Sequence, residues 1–208
     1  MATSPDLAQF RANQLTLKRG SRVIWENATW SLQGPCAILG ANGSGKSSTL
    51  ALLAGQVSPD DGQLTFQVGQ NTIAPESWMT SVSLSAPWMD FPKYLTLREI
   101  VDFHGIFKLE RPGHLGWNAL LESSGLDVGI DVTLGQWSSG QRQRLALALA
   151  FGTQTHALLL DEPTSNLDYV GISWFQNILE EISLQTTTIV VTNDVAKEAP
   201  KASSLLEI

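Results

Sequence analysis

The stretch GANGSGKSS, residues 40–48, decides the fold. It fits the pattern G-x-x-x-x-G-K-[ST], which forms a phosphate-binding P-loop when a strand precedes it and a helix follows it. The apolar run CAILG before it is typical of a short buried strand, and KSSTLALLAG is typical of a helix that ends at Gly55. Both flanks favour a P-loop over the alternative, a chance glycine-rich turn.

The residue types in this loop suit a nucleoside triphosphate. Glycines let backbone N–H groups turn inward around phosphates. The ammonium of Lys46 is expected to reach the β- and γ-phosphates as a catalytic group, and the hydroxyl of Ser47 is expected to ligate Mg²⁺. The predicted nucleotide-binding residues of the loop are Gly40, Ala41, Asn42, Gly43, Ser44, Gly45, Lys46, Ser47 and Ser48.

A second stretch, ALLLDEP (157–163), predicts the other half of the site. An apolar strand that ends in Asp161 places one carboxylate at the carboxyl edge of the sheet, where ligands bind in open α/β folds. Asp161 can hold Mg²⁺ opposite Ser47, and Glu162 suits a catalytic base that orients the attacking water. The alternative is an acidic turn before Pro163, but the P-loop upstream favours the metal and base roles.

Periodicity along the chain predicts an α/β fold. The runs FRANQLTL and VIWENATWSL alternate as antiparallel strands do, while SVSLSA, HALLLDEP and TTTIVVT indicate buried strands between helices. Buried strands between helices indicate a parallel sheet covered on both faces. We predict one domain, residues 1–208, with the fold of a P-loop NTPase. It has a RecA-like parallel sheet core, an N-terminal antiparallel β patch and an inserted helical subdomain at about 86–145; TTTIVVT is the last predicted strand.

Charge and hydropathy narrow the class of partner. The formal net charge is −7 and the pI about 4.9, so no nucleic-acid partner is expected, because phosphate binding usually needs a basic face. The one cysteine, Cys36, leaves no internal disulfide. The first residues lack the order of a signal peptide, and the longest apolar run, LALALAF, is too short to span a bilayer. We therefore expect a chain that is soluble in itself and cytoplasmic and that, if it serves a membrane, does so through a partner.

The stretch WSSGQRQRLALALA (137–150) places small and polar residues at the head of an apolar helix. Ser138 or Ser139 can serve as the N-cap. A helix start built of small residues is also an open anion site, because its free N–H groups and its dipole favour negative charge. The two interpretations are compatible, and the second leaves open which anion binds.

Together the three stretches resemble the ATP-binding cassette family, which carries a signature L-S-G-G-Q at a helix start between the P-loop and the Asp-Glu strand. The signature here is WSSGQ, residues 137–141. The resemblance implies that ATP binds with Mg²⁺ and that two copies form a head-to-tail dimer. The signature of one subunit would contact the γ-phosphate held by the other, so Ser138, Gly140 and Gln141 would bind nucleotide. Asp168, in the stretch SNLD, would lie at the dimer interface.

Three features depart from the family pattern. The signature leucine is Trp137 and the first signature glycine is Ser139, so we expect a working but altered signature. The strand end that carries a Gln in the family has the sequence Ser-Ala-Pro at residues 85–87, which leaves no Gln to contact Mg²⁺. The family's His that contacts the γ-phosphate is Asn193 here. We predict Asn193 as a catalytic residue that hydrogen-bonds phosphate without carrying charge.

Four further residues take roles that the resemblance suggests. Arg19 stands where the family stacks an aromatic ring on adenine, and its guanidinium could stack there. Arg19 and Arg22 form an Arg-Gly-x-Arg pattern that also occurs in small family members linked to heme export for cytochrome c maturation. The alternative is two solvated turn charges. Trp78 and Trp88 are candidates for a groove that docks a helix of the membrane subunit, with ordinary packing as the alternative.

The resemblance implies an ATP-hydrolysing motor subunit of a membrane transporter. Its partners would be a transmembrane permease subunit and a second nucleotide-binding domain, on the inner face of the membrane. Two alternatives stay open: a soluble cassette ATPase without a transporter, and an ATP-gated clamp with weak hydrolysis. The single cassette and the net charge of −7 argue against the first. The missing Gln and His favour the second, whereas Lys46, Asp161 and Glu162 argue against it.

Overall fold

The structure, a computed structural model, describes residues 7–127 and 132–208. In chain order its strands are β1 (Ala8–Arg19), β2 (Arg22–Gln33), β3 (Cys36–Leu39), β4 (Asp61–Val68), β5 (Asn71–Thr72), β6 (Val82–Ser85), β7 (Ala157–Asp161), β8 (Thr187–Val191) and β9 (Ser204–Glu207). Its α-helices are α1 (Lys46–Leu53), α2 (Trp78–Ser81), α3 (Leu97–Phe107), α4 (Trp117–Ser123), α5 (Ser139–Phe151), α6 (Tyr169–Ser183) and α7 (Val195–Glu198). The predicted α/β fold with a parallel core and an antiparallel patch is confirmed.

The antiparallel sheet has the strand order β2-β1-β4-β5. The hairpin between β1 and β2 turns at two residues, Gly20 and Ser21, and Gly20 adopts a φ of +59° that glycine takes without strain. Phe10 and Phe66 lie opposite each other on β1 and β4, and their rings stack with centroids 4.4 Å apart. This inner face therefore packs as a hydrophobic core.

The parallel sheet has the order β6-β7-β8-β3-β9. One of its two edge strands is β9, which lies within the stretch SSLLEI and in which Leu205 pairs with Ala37 of β3. The prediction that TTTIVVT is the last strand was therefore wrong. The reason is that β9 is a four-residue edge strand whose residues alternate between half-buried and exposed, with Leu205 56% exposed, so it lacks the continuous apolar run of a buried strand.

The central strands are buried on both faces, because helices cover one side and α1 together with the antiparallel sheet covers the other. Leu158, Leu160 and Val190 pack into the core formed with α4, α5 and α6. Leu159 and Ile189 point the other way and pack with α1 and with the aromatic core of the antiparallel sheet. Since the strands run parallel, β3, β7 and β8 all end at one edge, where the P-loop and the Asp-Glu pair follow.

The chain between β6 and α5 forms α3 and α4, and the helical subdomain at about 86–145 stays a prediction. Trp137, in place of the signature leucine, is buried in the core against which α4 and α5 pack. Trp78 is 8% exposed and meets Phe10 and Phe66 edge to face, so ordinary packing is the interpretation that holds for it, whereas Trp88 is 46% exposed. None of the described helices has the length and apolar character needed to cross a membrane.

Candidate active site

Lys46 begins α1 and is almost fully buried within the P-loop. Its Nζ donates to the carbonyls of Gly40 at 2.7 Å and Ala41 at 3.3 Å, and to Oδ1 of Asn193 at 3.0 Å. Glycine is required at position 40, because a β-carbon there would lie 2.9 Å from the carbonyl of Ile208. Two carbonyls of the loop and the Asn193 side chain thus surround the Lys46 ammonium with oxygen acceptors.

Ser47 and Asp161, which the sequence predicts as metal ligands, are in direct contact. The Ser47 hydroxyl donates to Oδ2 of Asp161 at 2.7 Å, and Asp161 is 4% exposed. Burial raises the pKa of the Asp161 carboxyl, an effect that the Ser47 hydrogen bond opposes and nearby Glu162 reinforces. A buried carboxylate beside a hydroxyl is a hard oxygen set that fits Mg²⁺, whose charge would stabilise the ionised carboxylate.

Glu162 follows β7 directly and adopts a left-handed backbone with φ of +42°. A non-glycine residue in this region stores about 1 kcal/mol or more of backbone strain, which is common at functional sites. The amide of Glu162 donates to the carbonyl of Val191 at 2.9 Å, which fixes the turn to β8. Its side chain lines the same cavity as the P-loop, with a volume of about 410 Å³.

Asn193 joins the P-loop to Glu162 through hydrogen bonds. Its Oδ1 accepts from Lys46, and its Nδ2 donates to Oδ1 of Asn42 at 2.9 Å and to Oε1 of Glu162 at 3.2 Å. The lysine ammonium can only donate, so the amide orientation follows from its partners. The structure therefore brings all three predicted catalytic residues, Lys46, Glu162 and Asn193, into one hydrogen-bonded group.

The signature lies at the start of α5 and does not line the P-loop cavity. Ser138 is the N-cap: its hydroxyl accepts from the Gln141 amide at 3.2 Å, and the Gln141 side chain accepts from the Ser138 amide at 2.8 Å. Ser139 is the first helical residue and needs no left-handed backbone. A β-carbon on Gly140 would lie 2.9 Å from the carbonyl of Asn166, so this glycine permits a close approach. The N-cap interpretation holds, and the anion role stays a prediction.

Side chains that sequence reasoning missed join the signature helix to the loop after β7. Gln143 donates to the Pro163 carbonyl at 2.8 Å. Arg144 donates to Asp168 at 2.6 Å, and Asp168 also caps α6 by accepting from the Gly171 amide at 2.8 Å. These two hydrogen bonds keep the pKa of the exposed Asp168 carboxyl below its usual range. The sequence predicts Asp168 at a dimer interface. Within this chain, the hydrogen bonds of Asp168 join α5 to α6.

The two hairpin arginines differ in what they contact. Arg19 is exposed, and its Nη1 donates to the neighbouring Lys18 carbonyl at 3.0 Å. Arg22 instead reaches the P-loop, with Nη1 3.7 Å from the place where a β-carbon on Gly43 would lie. The predicted contact of Arg19 with adenine stays a prediction, and Arg22 is the arginine that the structure brings to the loop.

Fold and site together define a P-loop nucleotide-binding α/β protein. The profile of the family described as "ABC transporter" matches residues 29–165. A "Cytochrome c biogenesis ATP-binding export protein CcmA" from Idiomarina loihiensis is 31% identical over 195 residues, covering 88% of this chain and 84% of its own length. The "Probable ATP-binding protein YheS" of Escherichia coli K12 is 31% identical over 207 residues, and the chain spans 32% of its length.

The solved structure titled "Dimeric Structure of MJ0796, a Bacterial ABC Transporter Cassette" has the same fold, with a TM-score of 0.78 at 21% identity over 95% of this chain and 94% of that one. The chain belongs to the ABC transporter family. The predicted resemblance to ATP-binding cassettes is confirmed, and the members of this family bind and hydrolyse ATP.

Proposed function

We propose that this chain is the ATP-hydrolysing motor subunit of a membrane transporter and works as a head-to-tail dimer. The observation that carries the proposal is the single hydrogen-bonded group formed by Lys46, Asn193 and Glu162 beside the Ser47–Asp161 pair. It combines a cation suited to phosphate, a pair suited to a metal and a carboxylate suited to a base at the carboxyl edge of the sheet, where Lys46, Ser47 and Glu162 line one cavity.

Each residue has a distinct part in the proposed hydrolysis. Lys46 binds the β- and γ-phosphates and neutralises part of the charge that develops on them. Ser47 and Asp161 would hold Mg²⁺, which supplies positive charge against the phosphate oxygens when bound. Glu162 accepts a proton from the attacking water, and Asn193, through its Nδ2, holds the Glu162 carboxylate in place.

A second copy would complete the site. Ser138 and Gly140 lie at the N-terminus of α5, where backbone N–H groups and the helix dipole suit a phosphate, but they lie outside this chain's own nucleotide cavity. The dimeric solved cassette supports this arrangement. The bonds from Gln143 and Arg144 to the loop after β7 would tie the position of the signature to that of Glu162.

A permease partner is supported by an exposed apolar face on α3 and its flanks. The large exposed apolar side chains on α3 are Phe103, Ile106 and Phe107, and those that flank it in the chain are Trp88, Met89, Tyr94 and Leu109, each at least 46% exposed. Beside it a cavity of about 200 Å³ is lined by Met79, Met89 and Phe91. Contiguous exposed apolar residues mark interaction surfaces. YheS and CcmA match this chain at the same identity, so the comparisons favour no particular transported substrate. We therefore propose the motor role alone.

The proposal is tested with Glu162→Gln, which removes the base and leaves the phosphate and metal contacts. We expect this variant to trap ATP unhydrolysed and to form a dimer with ATP and Mg²⁺ on size exclusion, best measured on the intact complex with its permease. Adding Ser138→Arg should abolish the dimer, because the longer side chain fills the anion site at the start of α5. A monomer at tens of micromolar in both proteins would refute the trans role.

A second measurement separates a transporter subunit from a soluble cassette ATPase. The tagged chain is purified from detergent-solubilised membranes of its own host, with Phe103→Ser and Phe107→Ser on the α3 face as the comparison. We expect a multispanning membrane protein to copurify with the original chain and to be lost with the double variant. Recovery of the chain without any membrane protein would favour the soluble class.

A further inference from the structure

The hairpin between β1 and β2 closes on two arginines that face each other. Arg19 and Arg22 are paired in register across the turn. Like charges placed directly opposite destabilise an antiparallel pair, so this arrangement has a local cost. Arg19 donates to the Lys18 carbonyl. Among the described residues, none forms a hydrogen bond or an ion pair with the Arg22 guanidinium, which leaves its donors available.

The register of β2 along the P-loop sets where this free guanidinium lies. A β-carbon on Gly45 would come within 2.5 Å of Ile24, so Ile24 lies directly against Gly45. Two residues earlier on both segments, Arg22 lies against Gly43, with 3.7 Å between Nη1 and the β-carbon position. The two distances place Ile24 and Arg22 on the side of β2 that faces the loop, on either side of the irregular pairing of β2 with β1 near Val23.

A hydrogen bond holds β2 in this register. The indole Nε1 of Trp25 donates to Oγ1 of Thr49, on the first helix after the P-loop, at 2.9 Å. Thr49 is fully buried, so this bond anchors the strand to the core. Because Arg22 lies three residues from this anchored tryptophan, its position beside the loop is also fixed.

We propose that Arg22 is a nucleotide-contacting residue whose guanidinium binds phosphate oxygens of a nucleoside triphosphate held in the P-loop. This inference rests on the proposed function. Gly43 has φ of +77° and no side chain, so the loop surface beside Arg22 is bare backbone. A guanidinium offers several donors in a planar fork that matches phosphate. Arg22 then supplies a second cation beside Lys46, and the phosphate charge relieves the repulsion between the paired arginines.

The test is calorimetric titration of the full chain with ATP and with inorganic tripolyphosphate, both with Mg²⁺. Arg22→Gln is compared with Arg19→Gln, a matched control that removes the same charge from the same turn. A charge-assisted contact at an exposed site predicts that Arg22→Gln weakens both ligands about fivefold to twentyfold. Arg19→Gln should keep its tripolyphosphate affinity within about twofold, since the Arg19 guanidinium bonds its own strand and this ligand has no adenine for Arg19 to stack on. Arg22→Lys should recover part of the affinity for both ligands.

Each other outcome has a definite meaning. Equal tripolyphosphate affinities in Arg22→Gln and Arg19→Gln would overturn the assignment. A loss for ATP with none for tripolyphosphate would also overturn it, because the contact would then be with the base or ribose. If the original chain binds neither ligand, the proposed function fails, and this inference with it. Thermal unfolding of the nucleotide-free variants should match, which separates a lost phosphate contact from a damaged hairpin.

Discussion

Asn193→Asp tests the hydrogen-bonded group at its centre. Aspartate has the shape of asparagine but replaces the Nδ2 donor with a charged oxygen. That oxygen would face Oε1 of Glu162, which Nδ2 now approaches to 3.2 Å, and Oδ1 of Asn42. The opposite oxygen would still accept from Lys46, now as an ion pair that competes with phosphate for the ammonium. The substitution therefore turns two attractive contacts into repulsive ones without changing volume.

The distance sets the size of the effect. Two unit charges 3.2 Å apart repel by about 1.3 kcal/mol in bulk water and about 5 kcal/mol at an effective dielectric of about 20. Asn193 is exposed, so solvent screening places the cost near the lower value, about 1–2 kcal/mol. If that cost falls on the positioned Glu162 in the transition state, turnover falls about fivefold to thirtyfold.

Steady-state phosphate release by four proteins measures this effect. Asn193→Ala removes the amide without adding charge and should lie between Asn and Asp in turnover. Asn193→His should exceed the original chain about fivefold to thirtyfold if the ring donates a charge-assisted bond to the γ-phosphate. The expected order is His, Asn, Ala, Asp. An Asp variant as fast as the Ala variant would refute the role of the Asn193–Glu162 bond, and equal rates in all four would make position 193 only a strand end.

Two further predictions concern the P-loop and the metal-ligand pair. Lys46→Ala should abolish tight ATP binding in calorimetry, because the phosphates lose the buried ammonium, and unchanged affinity would contradict the P-loop assignment. Asp161→Asn should raise the melting temperature of the nucleotide-free chain at neutral pH while abolishing Mg²⁺-dependent turnover. Burial raises the pKa of Asp161 in the folded state above its value in the unfolded state, so ionising this carboxyl destabilises the fold. The cost is absent at a pH well below the unfolded-state pKa and is fully present at a pH above the folded-state pKa. The neutral amide removes that cost. The prediction is contradicted if the variant and the original chain melt at the same temperature in acid and the variant melts no higher than the original chain at neutral pH.

Short-range sequence patterns predicted most of the fold because they reflect requirements of the backbone. The P-loop needs a strand ending at Leu39 and a helix starting near Lys46, and both are found there. The Asp-Glu strand could be placed because a continuous apolar run that ends in Asp161 is typical of a strand buried on both faces of a parallel sheet. The edge strand β9 escaped prediction because it pairs on one side only and half of its residues face solvent.

These patterns could not predict the contacts within the site, because those contacts join residues that are far apart in sequence. Asn193 could be assigned to phosphate by resemblance, but its bridge between Lys46 and Glu162 depends on where β8 ends relative to β3 and β7. Arg22 resembled a solvated turn charge, since only the packing of β2 on the P-loop gives it a neighbour. A motif identifies the residues that must contact phosphate, whereas strand register determines which additional side chains lie close to the phosphate site. Chains that share the motifs can therefore differ in nucleotide affinity and turnover through residues such as Arg22 and Asn193.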